Sequence, residues 1–264
     1  VRAFIWFSGN WLAIWPISQI IADPVAGRRE VRYRREDRAA MLSLSVIVPT
    51  LNEEPRLPLL LDDLEAQGAE EVLVVDGGST DATVACAEPR AVVLRTAPGR
   101  AIQMNAGARA ARGDVLLFLH ADARLDAGAL DAVRRAMSDA SVVGGAFDIC
   151  YQGDDLPARV FTRINRLRRS CGVIYGDAGI FCWRRRFEQM GGYREWPIME
   201  DYEFARRLWK SGRMALLPDP IHISDRRWRN SGLVRTLWSW FLIQGLYYAR
   251  VSPNRLARLY PHIR

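Results

Sequence analysis

A chain of 264 residues, 49% hydrophobic and 25% charged, is long enough to bury one large core and has the balance of an ordinary globular domain. The formal charge of +7 raises a nucleic-acid reading, but Lys210 is the only lysine and the arginines are spread along the whole chain. No zinc finger, lysine-rich tail or aromatic RNA-binding pattern accompanies them, so the composition points away from nucleic acid and leaves anionic substrates or an anionic membrane surface. Cys86, Cys150, Cys171 and Cys182 share no C-x2-C spacing, which predicts reduced thiols of a cytoplasmic protein and no zinc cluster.

The N-terminal segment, 1–42, stands apart. Phe4 to Ala22 is apolar and aromatic and is followed by a charged run from Arg28 to Arg38. Three readings fit it: a stretch upstream of a true start at Met41, a membrane-touching segment, or a packed helical extension. The catalytic domain is expected over 43–230 and a helical segment over 231–264.

From Leu44 the pattern alternates. Residues 44–48 read as a buried strand closed by Pro49, and 56–67 as a helix ended by Gly68. A strand follows over Glu71 to Val75, then a Gly77-Gly78 turn and a helix entering through Ser79 or Thr80. Ala91 to Leu94 and Val115 to Leu119 read as strands around a helix over Ile102 to Ala111. Further on come a helix near 127–138, a strand over Gly144 to Tyr151, a basic helix over 157–170 and a strand near Ala178 to Trp183. A helix over Glu200 to Ser211 precedes an apolar helix over Leu233 to Ala249, either buried or lying on a membrane. The fold class is therefore α/β, a sheet covered on both faces by helices and completed by a C-terminal apolar helix.

Ligands in such sheets bind beyond the carboxyl ends of the strands. Polar residues wait there after three strands: Thr50, Asn52 and Glu53; Asp76, with Gly77 and Gly78 letting backbone approach a ligand; and His120 and Asp122. Carboxylates so placed could hold a divalent cation against a diphosphate, with His222 a candidate third ligand. Imidazole plus carboxylate suits Mn2+, whereas Mg2+ prefers oxygen. Arg100, ahead of the helix bearing Gln103 and Asn105, is a candidate phosphate contact. Glu200 and Asp201 open a helix, where acids also complement the helix dipole; Asp201 is the expected general base. Arg226, Arg227 and Trp228 offer guanidinium groups and an indole face to a diphosphate or a sugar.

Pro49-Thr50-Leu51-Asn52-Glu53, Val74-Val75-Asp76-Gly77-Gly78-Ser79, His120-Ala121-Asp122, Glu200-Asp201 and Arg226-Arg227-Trp228, in that order, resemble the family 2 glycosyltransferases of GT-A fold. Pro98-Gly99-Arg100 through Asn105, Tyr175-Gly176-Asp177-Ala178-Gly179 and Val251-Ser252-Pro253 through Ala257 are similar to one bacterial subgroup. It is called radical-SAM/selenodomain-associated transferase 2, or arsenosugar-biosynthesis glycosyltransferase. The resemblance implies an inverting enzyme that takes a sugar from a UDP- or GDP-type donor, with Mn2+ or Mg2+, to a hydroxyl acceptor that could be lipid-linked. It puts Pro49, Thr50, Asn52, Glu53, Asp76, Gly78, Arg100, Asn105, Asp177, Arg227 and Trp228 on substrate. It puts Asp122, His120 and His222 on the metal, and Asp201 with Glu200 at the chemistry. It also allows a peripheral contact at the inner face of the cell membrane. Two departures stand out: His120 occupies the first place of the usual Asp-x-Asp, and Gly77 the second acid of Asp-Asp-Gly-Ser. A same-fold nucleotidyltransferase, a glycosyl-phosphate synthase and a non-catalytic nucleotide-sugar binder are the competing readings.

Overall fold

The computed structural model describes residues 4–7, 10–13, 42–151, 153, 156–223 and 233–260. The chain divides into two units, Val1–Arg35 and Glu36–Arg264. In the first, β1 (Phe4–Phe7) and β2 (Asn10–Ala13) pair antiparallel, so strands stand where a helical extension was one of the expectations.

The second unit is built on an eight-stranded sheet. Its strands are β3 (Leu44–Thr50), β4 (Glu71–Asp76), β5 (Val92–Arg95), β6 (Val115–Phe118), β7 (Arg124–Leu125), β8 (Val142–Tyr151), β9 (Phe181–Trp183) and β10 (Arg213–Ile223). They run in the order β5-β4-β3-β6-β9-β8-β10-β7. β5, β4, β3 and β6 are mutually parallel; β9 runs antiparallel to β6 and β8, β10 parallel to β8, and β7 antiparallel to β10. The sheet is mixed, as expected of the fold class.

Helices α1 (Leu57–Ala66), α2 (Thr83–Ala87) and α3 (Arg100–Ala110) connect the parallel strands. α4 (Ala129–Met137), α5 (Leu156–Ser170) and α6 (Arg184–Gln189) serve the second half, and α7 (Glu200–Ser211) leads into β10. The buried runs of β3 and β6 show why those strands read as continuous apolar stretches: both of their faces are covered. α2 begins later than expected because Ser79 and Thr80 turn to other partners, and Asp81 accepts the Thr83 N–H at 3.0 Å instead. The four cysteines are free, and burial pushes the Cys182 thiol well up.

α3 lies directly on β3 and β4 because Gly107 lets it. A Cβ there would meet Ile47 Cγ2 at 2.5 Å and Val75 Cγ2 at 3.0 Å, both in a rigid sheet.

The C-terminal helix corrects an expectation. α8 (Leu233–Tyr248) forms, but it is not apolar and buried all round, nor does any helix among the described residues have the length and apolarity to cross a membrane. Sixteen residues span roughly 24 Å at 1.5 Å per residue, short of the ~30 Å hydrocarbon core. One side of α8 is tied down: Thr236 and Ile243 are buried, and the Tyr175 hydroxyl donates to Gln244. Trp238 and Phe241 face outward, 70% and 69% exposed. The buried side joins Met199, Tyr202 and Leu256 of α9 (Pro253–Leu259) in a small second core, which fixes α8 over the start of α7.

Gly107→Ala is expected to destabilise the protein by about 1–3 kcal/mol through overpacking against the sheet. Urea unfolding of the variant beside the wild type measures it.

Candidate active site

A cavity of about 560 Å³ opens at the carboxyl ends of β3 and β6. Its polar end is built first by hydrogen bonds between loops. The Gln103 carboxamide donates to the carbonyls of Thr50 and Val75, both at 2.8 Å, and so clamps the ends of β3 and β4 together. Asn52, at φ 55°, accepts the Thr80 N–H at 2.8 Å and donates its own N–H to Ser79 Oγ at 2.9 Å. The Glu53 N–H donates to Thr83 Oγ1 at 2.8 Å. These bonds present Pro49, Thr50, Asn52 and Glu53 to the cavity.

Asp76 and Gly78 are placed differently. The buried Asp76 carboxylate accepts the N–H groups of Gly78 and Ser79, at 2.9 and 3.0 Å, and the Ser79 hydroxyl. It shapes the turn beneath Asn52 and does not line the cavity. Asn105 is likewise turned away. Its Nδ2 donates to the Tyr193 carbonyl at 2.8 Å and its Oδ1 accepts the Tyr193 N–H at 2.9 Å, which holds the Gly191-Gly192-Tyr193 turn.

Around the opposite wall stand His120, Asp122, Asp177 and Asp201. Arg124 holds the His120-to-Leu125 loop to α1 through a two-pronged contact with Asp63, at 2.6 and 2.7 Å. Burial, with Arg100 nearby, lowers the His120 pKa despite the surrounding acids, which favours the uncharged ring. Asp201 Oδ2 accepts the Gly176 N–H at 2.9 Å and its Oδ1 the Tyr202 N–H at 2.6 Å. Gly176 is where the two halves of the site meet. A Cβ there would sit 3.0 Å from Asp201 Oδ2 and 3.3 Å from His120 Nε2.

Arg100, partly exposed, and the buried Glu200 form the electrostatic joint of the site. Arg100 Nη2 lies 2.7 Å from Glu200 Oε1 and 3.9 Å from Asp201 Oδ2. Burial pushes the Glu200 carboxyl up, and Arg100 draws it back; the acids in turn raise the guanidinium. Arg100, expected on phosphate, thus holds the acids that open α7. Met199, the residue before them, has φ 65°. Of the three described non-glycine residues with positive φ, two (Asn52 and Met199) line this cavity, as strained backbone at functional sites does.

The expected metal set is only partly assembled. His120 and Asp122 line the cavity, whereas His222 sits in β10 with its Nε2 3.1 Å from Asp126 Oδ1. Among the described residues no three His, Cys, Asp or Glu side chains form a cation cluster. One imidazole and one carboxylate suit a divalent cation such as Mn2+, and His120 and Asp122 would hold it with the remaining coordination left to other oxygens. Arg226, Arg227 and Trp228 lie outside the described residues.

The other end of the cavity was not foreseen from the sequence. Tyr151, Arg168, Tyr175, Ile198, Trp240 and Tyr260 line it. The sequence signalled only a basic helix over 157–170 and an apolar one after 233; nothing in either pattern distinguishes Arg168 or Trp240 from its neighbours.

A mixed sheet with acids and a histidine beyond the ends of its parallel strands defines a GT-A-type enzyme site. The comparisons with known proteins agree. Residues 45–224 match the glycosyl transferase family 2, and the chain belongs to that family, which classes it among the glycosyltransferases. An uncharacterised glycosyltransferase of Mycobacterium tuberculosis is 39% identical over 90 residues, 33% of this chain and 40% of that protein. The Drosophila melanogaster dolichyl-phosphate beta-glucosyltransferase is 41% identical over 114 residues, 36% of this chain and 35% of that protein. The chain thus spans two fifths or less of the length of these curated relatives. Among solved structures, the S. aureus TarS 1–349 complex with UDP-GlcNAc superposes with a TM-score of 0.57 at 18% identity, covering 70% of this chain and 59% of that one. The Pyrobaculum calidifontis mannosyltransferase with GDP-Man and Mn2+ gives 0.52 at 23% identity, covering 73% and 63%. These likenesses establish the shared fold.

Arg100→Met is expected to destabilise the protein by about 2–3 kcal/mol. That is below the ~3–5 kcal/mol of a fully buried broken pair, because Arg100 is partly exposed and Glu200 can take up a proton. Arg100→Met with Glu200→Leu should recover most of the loss in a denaturant titration. Gly176→Ala should stay folded by circular dichroism and lose at least about tenfold in transfer rate, since displacing a reacting group by an ångström costs up to ~100-fold.

Proposed function

We propose that this chain transfers a glycosyl group from a nucleoside diphosphate sugar, of UDP or GDP type, to an acceptor hydroxyl with inversion at the anomeric carbon. The observation that carries the reading is the position of Asp201. Its carboxylate is held by the Gly176 N–H at the middle of the cavity, between the polar loops after β3 and β6 and the aromatic end. Thr50, Asn52 and Glu53 meet the nucleoside, on a loop whose shape Asp76 and Gly78 maintain. His120 and Asp122 would hold a divalent cation, Mn2+ suiting that donor pair. Such a cation supplies charge neutralisation to the departing diphosphate.

The Asp201 carboxylate takes the proton of the acceptor hydroxyl as that oxygen forms its bond to the anomeric carbon. The bond from that carbon to the diphosphate oxygen breaks on the opposite face, and the nucleoside diphosphate leaves with its electron pair. Asp177 shares the Gly176 turn and borders the same space, where it lies within reach of the transferred sugar. The Mycobacterium tuberculosis glucosyl-3-phosphoglycerate synthase, whose structure holds Mn2+, UDP and phosphoglyceric acid, superposes with a TM-score of 0.52 at 19% identity. The ligands of that protein and of the mannosyltransferase support a metal-assisted nucleotide-sugar reading here. Assignment to the arsenosugar subgroup rests on the sequence resemblance alone.

Calorimetric titration of the full chain with UDP and GDP, with and without Mn2+, is the direct test. One nucleotide should bind, more tightly with Mn2+, and Asp122→Ala should abolish the metal dependence. Asp201→Asn should leave that binding intact and lower the transfer rate by about 10²–10⁴-fold, the range of a general base. A folded protein that binds neither nucleotide would overturn the donor reading.

A further inference from the structure

Of three arginines near the end of α5, two share a single acid. Arg166 Nε lies 2.6 Å from Asp148 Oδ2, and Arg169 Nη2 lies 3.6 Å from Asp148 Oδ1. Arg169 also donates to the Leu217 carbonyl at 2.6 Å. Arg168 has no carboxylate among the described residues. Its Nη2 donates to the neutral Asn165 carboxamide, and its Nε is buried without an acceptor. The guanidinium instead lies against aromatic rings, 4.7 Å from the Tyr175 centroid and 5.8 Å from that of Trp240, and it borders the cavity. Stacking on ring faces offsets part of the cost of drawing a cation out of water, but it supplies no counter-charge.

The rest of the cavity makes this cation distinctive. Its acids, Glu53, Asp122, Asp177 and Asp201, line the same cavity with Arg100 and His120 among them. Besides Arg168, the cavity is lined by the uncharged side chains of Tyr151, Trp240, Ile243 and Tyr260, with Trp240 at the guanidinium itself. The two ends are linked through Tyr175, whose ring lies beneath Arg168 and whose neighbour Gly176 donates to Asp201. A molecule occupying the aromatic end therefore meets ring faces, one guanidinium and, one residue further along, the proposed base.

We infer that the aromatic end is the acceptor subsite and that Arg168 is its anion receptor, so the acceptor carries a phosphate or carboxylate group on an apolar or ring-bearing body. The inference builds on the transferase reading by naming the acceptor class. Guanidinium forks pair with both anions through two parallel hydrogen bonds, and Tyr and Trp faces accept an apolar body beside the charge. The same anion chemistry belongs to a soluble aryl phosphate and to a lipid phosphate, each needing a separate hydroxyl to receive the sugar.

The test uses the full chain and three probes: phenyl phosphate, farnesyl phosphate and neutral phenyl β-glucoside. Each is titrated by saturation-transfer NMR with and without UDP or GDP and Mn2+. At least one phosphate probe is expected to bind tenfold or more tightly than the glucoside. Preference for phenyl phosphate marks a soluble acceptor and preference for farnesyl phosphate a lipid one. Arg168→Gln should weaken that probe by tenfold or more, and Arg168→Lys, which keeps the charge but not the planar fork, by less. Nucleotide binding by each variant reports that it is folded. Equal affinity for the neutral glucoside, no binding of either phosphate, or an Arg168→Gln variant that binds phosphate like the wild type would each overturn the inference. Phosphate binding at Arg168 in a protein that binds no nucleotide would instead sink the donor reading and leave the anion site standing without its acceptor role.

Discussion

The cavity gathers Glu53, Asp122, Asp177 and Asp201 beside a buried Glu200, and carboxylates so crowded repel one another unless a counter-charge stands among them. Arg100 is that counter-charge for Glu200 and Asp201. It reaches Glu200 at 2.7 Å from the first turn of α3, so the helix resting on β3 and β4 also pins the first turn of α7. His120, whose pKa burial lowers, stands among these acids without adding a further negative charge.

The polar and aromatic ends come from different parts of the fold. Parallel strands deliver the polar end, because their carboxyl termini all open on one edge and Gln103 clamps two of them. The aromatic end is made by α5 and α8, with Tyr175 held by Gln244 and Tyr202 within 2.5 Å of Tyr248 through their hydroxyls. Asp201 sits on a helix that gives Tyr202 to the small core and Phe204, Ala205 and Leu208 to the large one.

Much of the parallel half was legible from residue order. Short β-branched runs, glycine stops and polar residues at strand ends announced β3, β4 and β6 with their site loops, because those signals are local. The same reasoning put Asp76 and Asn105 at a ligand, where the structure shows them closing hydrogen bonds within the protein. Residue type announces a polar contact but not its partner. His222 was grouped with His120 for the same reason, and the pairing of β10 with β7 puts it beside Asp126 instead.

The sequence by itself determined the α/β class, the strand ends that carry chemistry, and Glu200 and Asp201 as the opening of a helix, since periodicity and capping act over a few residues. Only the tertiary structure decided which charges are compensated. Arg100 and Arg168 are indistinguishable in composition, yet one meets Glu200 across 100 residues of chain and the other, among the described residues, meets ring faces and an amide. The two-sided character of α8 was settled the same way. An apolar run shows that surface will be buried somewhere, but which side is covered depends on Met199, Tyr202 and Leu256, which reach it only through the fold.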